Sequence, residues 1–267
     1  MVPVSVIIIT KNEAEIISRT IAMARLITDD IVVIDNGSND DTVEIAATNN
    51  CRIFKADWHG YGANKNKGIA HARYKWILSI DADEIIDKDL IHSLFRLDYS
   101  KENVVYDIRF KTYFGSKLIR FGSWGRDHHI RLFNRETVKW TELPVHETLV
   151  LPRSTVKKTL PGHIHHYSVR DEYECREKAI YYASLSAKKY YNSGKKSNYI
   201  KLYLAPAFNF IRNYFLYLGF LDGVEGWHIA KNSAKNTWLK YHYLENLECT
   251  DTKRHYVKHR LLLNWTE

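Results

Sequence analysis

Tyr74-Lys75-Trp76-Ile77-Leu78-Ser79-Ile80-Asp81-Ala82-Asp83-Glu84 is an apolar run that stops abruptly at closely spaced carboxylates. A run with no polar alternation is that of a strand covered on both faces, as in a parallel sheet. Upstream, Val4–Thr10 is a second such run and ends at Thr10-Lys11-Asn12-Glu13. Asp30–Asp35 is a third, halted by the turn cluster Asn36-Gly37-Ser38, and Arg52–Lys55 is a short fourth. Helical spacing fills the intervals: Glu13–Ile27, with Ile16, Ile17, Ile21 and Ala24 on one side, then Thr42–Thr48 and Ala63–Tyr74, with Asp87–Leu97 after the quoted stretch. This alternation predicts a doubly wound α/β sheet, mostly parallel. Ligands of such sheets bind outside the carboxyl ends of the strands. Thr10–Glu13, Asp35–Asp40 and Asp81–Glu84 are therefore expected to converge on one crevice.

Beyond Val104 the pattern changes. Val104–Thr112 and Ile130–Phe133 read as strands around a loop at Gly122-Ser123-Trp124-Gly125, and Pro144, Pro152 and Pro161 predict an irregular stretch. After Asp171 the spacing is helical: Ile180, Ala183, Ala187 and Tyr191 share one face, and Ile211, Tyr214, Phe215 and Leu218 share another. The 267 residues, 45% hydrophobic and 26% charged, are those of a globular chain rather than a disordered one. Cys51, Cys175 and Cys249 are far apart and form no CxxC pair, which argues against a disulfide framework or a zinc site and fits a reducing cytoplasm. The start, MVPVSVIIITKNE, has no basic region and predicts a buried strand, not a signal or transit peptide.

Charge is uneven. Residues 1–152 carry 20 Lys/Arg against 21 Asp/Glu, whereas residues 153–267 carry 19 against 10 and 20 of the 35 aromatic residues. A basic, aromatic surface suits nucleic acid or an anionic membrane. Within Tyr199–Leu221, Lys201, Pro206, Asn209, Arg212 and Asn213 leave Tyr214–Leu221 as the longest clean run. That is far short of the roughly 20 residues that span a bilayer. An amphipathic helix lying in the membrane plane remains open.

Asp81 and Asp83 at a strand mouth can ligate Mg²⁺ or Mn²⁺, hard ions that share oxygen ligands with substrate phosphates; the alternative is a cap for the next helix. Asp35 can accept from a ribose hydroxyl or a uracil N–H, or can simply form its turn. Lys65 and Lys67 can meet phosphate or remain solvated. No Gly-rich phosphate loop follows the first strand and GxGxxG is absent, which counts against a nucleotidyltransferase and a dinucleotide-binding dehydrogenase. No helix-turn-helix, zinc-finger or RNP-like signature supports a nucleic-acid-binding module.

The order and spacing of Val4–Glu13, Ile34-Asp35-Asn36-Gly37-Ser38-Asn39-Asp40 and Asp81-Ala82-Asp83-Glu84 resemble the family 2 inverting glycosyltransferases of the GT-A fold. Gly60-Tyr61-Gly62-Ala63-Asn64-Lys65-Asn66, Arg131-Leu132-Phe133, Val145-His146-Glu147, His166-Tyr167-Ser168 and Gly219-Phe220-Leu221-Asp222-Gly223 extend the likeness to the lipopolysaccharide-core β-glucosyltransferase subgroup. Asn36 departs from it where many members have a second Asp. The resemblance implies that Thr10, Asn12, Glu13 and Asp35 bind the nucleoside and that Asp81 and Asp83 hold Mn²⁺ or Mg²⁺ on the diphosphate. It implies a GT-A domain over residues 1–165, with a nucleotide-binding half (1–100) and an acceptor half (101–165), and a helical extension over residues 166–267.

Inversion needs one carboxylate to take the proton of the acceptor hydroxyl as it attacks. Asp127 and Glu147 are the candidates, with Asp127 preferred because it follows a loop suited to closing over an acceptor. In GT-A enzymes a late histidine can be a third metal ligand, which makes His166 the candidate among His163, His165 and His166. Lys65, Arg126 and Arg131 are candidates for phosphate. The expected reaction moves a hexose, glucose from UDP-glucose, to a lipid-linked saccharide of the lipopolysaccharide core or a related surface glycan. The expected place is the cytoplasm, peripheral on the inner face of an anionic membrane, with no nucleic-acid partner.

Overall fold

The computed structural model describes residues 1–141 and 148–263, with side chains described as far as Cys249. Two compact units divide after Val169. In the first, β1 (Val4–Thr10) is buried at every residue and lies between two parallel neighbours, β2 (Ile31–Asp35) and a strand over Trp76–Asp81. β3 (Arg52–Lys55) extends the parallel set beyond β2, and Trp76–Asp81 is β4.

The crossovers are α1 (Ile17–Arg25), α2 (Thr42–Thr48) and α3 (Tyr61–Ala70). Val4, Val6 and Ile8 share a core with Ile17 and Ile21 of α1, whereas Ile7 and Ile9 share another with Ile69 of α3. Both faces of β1 are thus covered, which is why its sequence has no polar alternation. Gly68 lets α3 lie against the sheet: a Cβ there would stand 2.3 Å from Ile7 Cγ2.

The second half of the sheet is mixed. After β5 (Glu84–Ile86) and α4 (Lys88–Phe95), β6 (Val104–Phe114) forms a short hairpin with β7 (Lys117–Leu118). β8 (His128–Asn134) runs antiparallel between β4 and β6. β9 (Lys139–Trp140) and β10 (Leu149–Val150) make a small separate ribbon. β11 (Val156–Val169) lies parallel to β6, with β5 antiparallel on its far side. The strand order is β3-β2-β1-β4-β8-β6-β11-β5.

β11 corrects the expectation of an irregular stretch around Pro161. A proline lacks the N–H that a ladder requires, and the strand accommodates it by breaking register between Thr159 and His163. Gly162 takes φ +98° at that break, where a Cβ would stand 2.1 Å from the Leu90 nitrogen. The strand continues through Val169, so the boundary expected at residue 165 falls inside it. A short 3₁₀ turn at Trp124–Arg126 occupies part of the expected loop.

The second unit begins at Arg170. Asp171 accepts the Glu174 N–H (2.8 Å) and caps α5 (Glu172–Asn192), which buries Cys175, Ala183 and Ala187. α6 (Ala205–Ile211) is flanked by π-helical turns at Ile200–Leu204 and Arg212–Leu216, and α7 runs over Gly223–Leu263. The face expected to unite Ile211, Tyr214, Phe215 and Leu218 does not form one helix. Leu218 takes φ +59° just beyond the π-helical turn, and Ile211, Phe215 and Leu218 are exposed.

Candidate active site

Parallel register aligns three strand ends. Thr10 pairs with Asp35 and Ile9 with Asp81, so β1, β2 and β4 stop at nearly one level. The loops beyond are joined by their own backbone. Asn12, at φ +56°, gives its N–H to Ser38 Oγ (2.9 Å) and accepts the Asn39 N–H (2.9 Å). Glu13 N–H donates to Thr42 Oγ1 (2.8 Å) and Ala14 N–H to Asp40 (3.1 Å). These bonds divert residues 13–16 into a loop, so α1 starts at Ile17 rather than at Glu13. The buried Asp35 carboxylate accepts from the Gly37 (3.2 Å) and Ser38 (3.1 Å) N–H groups, so it does form its turn. Thr10 Oγ1 is buried with no hydrogen-bond partner.

Lys65 is the first surprise. Only 3% of its side chain is exposed; its ammonium lies 3.4 Å from Asp81 and 4.8 Å from the centre of the Trp140 ring. Reciprocal bonds between the Asn66 side chain and the Trp140 backbone (2.9 and 3.1 Å) hold that ring to α3. Lys67 instead reaches the Asp57 carbonyl (3.3 Å) and His59 (3.1 Å). On the other side of Asp81, the buried Arg131 guanidinium stands 3.5 Å away and binds the buried Glu84. Burial pushes the Asp81 carboxyl up, but the Lys65 and Arg131 charges override this and hold it at about 2. Burial pushes Glu84 up, against the pull of Arg131.

β5 and β11 bring the histidine. His166 pairs with Glu84 in the ladder, Tyr167 N–H donates to the Asp83 carbonyl (3.0 Å), and His166 Nε2 lies 3.4 Å from Asp83 Oδ2. The Thr20 hydroxyl fixes the intervening turn from α1 by donating to the Ala82 carbonyl (2.6 Å). Burial pushes the imidazole down, and the Asp83 carboxylate outweighs it and raises His166 to about 9. Among the described residues no three His, Cys, Asp or Glu side chains enclose a metal by themselves. Mg²⁺ and Mn²⁺ need no such cage, because waters and substrate phosphates complete their shells. Asp83 and His166 side by side, with the His166 Nδ1 buried and lacking a hydrogen bond, fit that kind of open site.

Asp127 lies just before β8. Its carbonyl accepts the Phe110 N–H (2.9 Å) and its carboxylate meets His129 Nε2 (2.9 Å). Burial pushes this carboxyl up; the His129 hydrogen bond, aided by the His166 and Arg131 charges, brings it below the ordinary range. Phe110 is the common floor, with His129 and His166 edge-on at 5.1 and 6.0 Å and Arg131 at 5.4 Å. Asp127 also borders a cleft of about 600 Å³ that includes Arg126.

Thr10, Asp35, Lys65, Asp81, Asp83, Arg131 and His166 thus gather around the ends of the central strands, with Asn12 and Glu13 in the joined loops and Asp127 at the cleft. Glu147 lies outside the described residues. Sequence reading overlooked Glu84, Phe110, His129 and Trp140. Glu84 adjoins the Asp-x-Asp and was within reach; the other three are placed by long-range pairing and carried no local signal.

The glycosyl transferase family 2 model matches residues 5–155. An uncharacterized glycosyltransferase of Rickettsia typhi is 30% identical over 237 residues, 85% of this chain and 81% of that protein. The lipopolysaccharide core biosynthesis glycosyltransferase LpsC of Rhizobium meliloti is 28% identical over 250 residues, 89% and 90% of the two chains. Among solved structures, glucosyl-3-phosphoglycerate synthase of Mycobacterium tuberculosis, in complex with Mn²⁺, UDP and glucosyl-3-phosphoglycerate, aligns over 41% of this chain and 44% of that one, at 21% identity and a TM-score of 0.35.

Proposed function

Because this chain belongs to glycosyl transferase family 2 and has the GT-A fold, we propose that it moves a hexose, glucose from UDP-glucose, with inversion onto a saccharide hydroxyl of a lipid-linked bacterial glycan. The reading rests on one observation above the rest: Lys65, Asp81, Asp83 and His166 meet at the strand ends, with Asp127 alongside. Thr10, Asn12, Glu13 and Asp35 face the nucleoside. Asp81, Asp83 and His166 would hold Mn²⁺ or Mg²⁺, which would supply positive charge to the diphosphate. Lys65 brings a buried cation to the same oxygens, and Arg131 acts from behind by fixing Asp81 against Glu84. The Asp127 carboxylate, kept ionised, takes the proton as the acceptor oxygen bonds to the anomeric carbon and the bond to the diphosphate oxygen breaks. Glu147 remains the second candidate for that base. The likeness to LpsC supports the lipopolysaccharide core as the class of acceptor.

The second unit supports a membrane partner. Ile200, Leu204, Phe208, Ile211 and Phe215 recur at helical spacing and are all exposed, as are Tyr199 and Tyr203, with Lys195, Lys196 and Lys201 in the same segment. A contiguous exposed apolar row with basic residues suits peripheral binding to an anionic bilayer. No helix among the described residues is long and apolar enough to cross a membrane. The proposed place is the cytoplasmic face of the inner membrane, beside the lipid-linked acceptor.

The test is thermal stability of the purified chain with UDP, GDP, dTDP or CMP, each with and without Mn²⁺. A nucleotide at about 100 times its dissociation constant adds about 2.7 kcal/mol. Stabilisation by UDP that requires metal is expected; absence of a shift with every nucleotide removes the donor site from the reading.

A further inference from the structure

The cleft beside Asp127 has a sign of its own. Arg109 and Lys111 stand two residues apart on β6 and so project to the same side. Ladder register sets His128 of β8 and His163 of β11 across from Arg109, and His165 across from Lys111. The acids nearby are already engaged. Asp107 meets Lys157 (2.9 Å) and His128 (2.8 Å), Asp127 meets His129 (2.9 Å), and Asp87 meets His163 (3.3 Å). Among the described residues neither Arg109 nor Lys111 has an acidic partner. Arg120 and Arg126 line the same wall but already have interactions of their own, so the surplus charge is that of Arg109 and Lys111. A concave surface of about 600 Å³ whose carboxylates are matched and whose cations exceed them concentrates anions, and a guanidinium beside an ammonium suits a phosphate or carboxylate group.

We propose that this cleft binds an oxyanion, phosphate or carboxylate, carried by the acceptor saccharide, and so selects an acidic acceptor over a neutral one. The inference rests on Asp127 marking the acceptor side. Asp127 borders the cleft where β8 begins, and its carboxylate lies with His129 and Phe110 on the face of β6 opposite Arg109 and Lys111. The acceptor reaches from one to the other past the start of β8. Donor diphosphate is a poorer occupant, because Lys65 and Asp81 lie outside the cleft lining. Arg109 and Lys111 are binding residues in this scheme, with no part in the proton transfer.

The experiment titrates the full chain without metal, by NMR, using glucose 6-phosphate, glucuronate and glucose as probes. One or both anions are expected to bind and glucose is not. The double variant Arg109→Gln/Lys111→Gln is expected to weaken anion binding at least about tenfold, while its stabilisation by UDP with Mn²⁺ stays at the wild-type level. Arg109→Lys, which keeps the charge, should retain most of the affinity. Wild-type anion affinity in the double variant overturns the proposal, as does equal binding of glucose. Competition by UDP without metal assigns the cleft to the donor and also overturns it. Capture of phosphatidylglycerol vesicles through the same two residues, without binding of either sugar anion, assigns it to lipid and overturns it as well. If the anions bind as expected but UDP with Mn²⁺ fails to stabilise the wild type, the donor reading falls and the cleft assignment stands.

Discussion

In the half of the sheet built from β1 to β4, the candidate side chains sit at strand ends or in the loops and helices that follow: Thr10, Asp35, Asp81 and Lys65. In the half built from β6, β8 and β11, they project from within strands: Arg109, Arg131, His163 and His166. The first arrangement needs parallel strands of matched length and loops that satisfy one another's N–H groups. The second needs the right register, since a slip of one residue turns every side chain to the opposite face. The bulge between Thr159 and His163 is therefore part of what sets His166 against Asp83. In the proposed reaction one half grips the donor, and the other supplies the groups that tune those sites and face the acceptor.

The sharpest test of that division sets Asp127→Ala against Asp83→Asn. Loss of a general base costs about 10² to 10⁴ in turnover. Asp127→Ala should therefore lower kcat in that range while the metal-dependent stabilisation by UDP persists. Asp83→Asn should abolish that stabilisation and, by removing the carboxylate paired with His166, also lower the melting temperature without ligand. If Asp127→Ala retains turnover and Glu147→Ala loses it, the base is Glu147. If Asp83→Asn still gains stability from UDP only when Mn²⁺ is present, the metal assignment fails.

Legibility followed the same line. β1, β2, β3 and β4 could be read because each is a short apolar run closed by a polar turn, and each has its partners in the same repeating pattern. The resemblance then supplied the expectation that the Asp-x-Asp holds a metal, and it pointed to His166, which the structure sets beside Asp83. β11 could not be read, because Pro161 and Gly162 look like a loop until β6 and α4 are in place on either side. Trp140 and Phe110 were invisible for a related reason: what matters in them is a ring under a cation more than 20 residues away in sequence, at 4.8 Å from Lys65 and 5.4 Å from Arg131. A pair of glycine substitutions probes the contrast. Gly162→Ala forces a Cβ onto backbone at 2.1 Å in a positive-φ conformation, and should cost about 2 kcal/mol or more. Gly68→Ala meets the Ile7 Cγ2 branch methyl at 2.3 Å but in an ordinary helical conformation, so it carries the packing cost without the positive-φ strain and should cost less. Equal losses in denaturant melts would mean that the β11 bulge is no more constrained than the packing of α3.

The smallest expected effect is in pH, and the two halves should give opposite signs. His166, raised to about 9 by Asp83 after burial has pushed it down, stabilises the fold fully below its unfolded value near 6.5 and loses that contribution as pH rises through 9. The metal-free protein should therefore lose about 1 kcal/mol between pH 7 and 8, and His166→Gln should flatten the slope. Asp81 works at the other end: held at about 2, its contribution is present above the ordinary carboxylate range and is lost as pH falls through 2. Mn²⁺ should reverse the alkaline trend, because a ligating imidazole must give up its proton and metal affinity then rises with pH. Calorimetric titration of Mn²⁺ in two buffers of different ionisation enthalpy measures the proton released. Near pH 7.5 one proton is expected from the wild type and none from His166→Gln, and equal release from both would leave His166 as a partner of Asp83 alone.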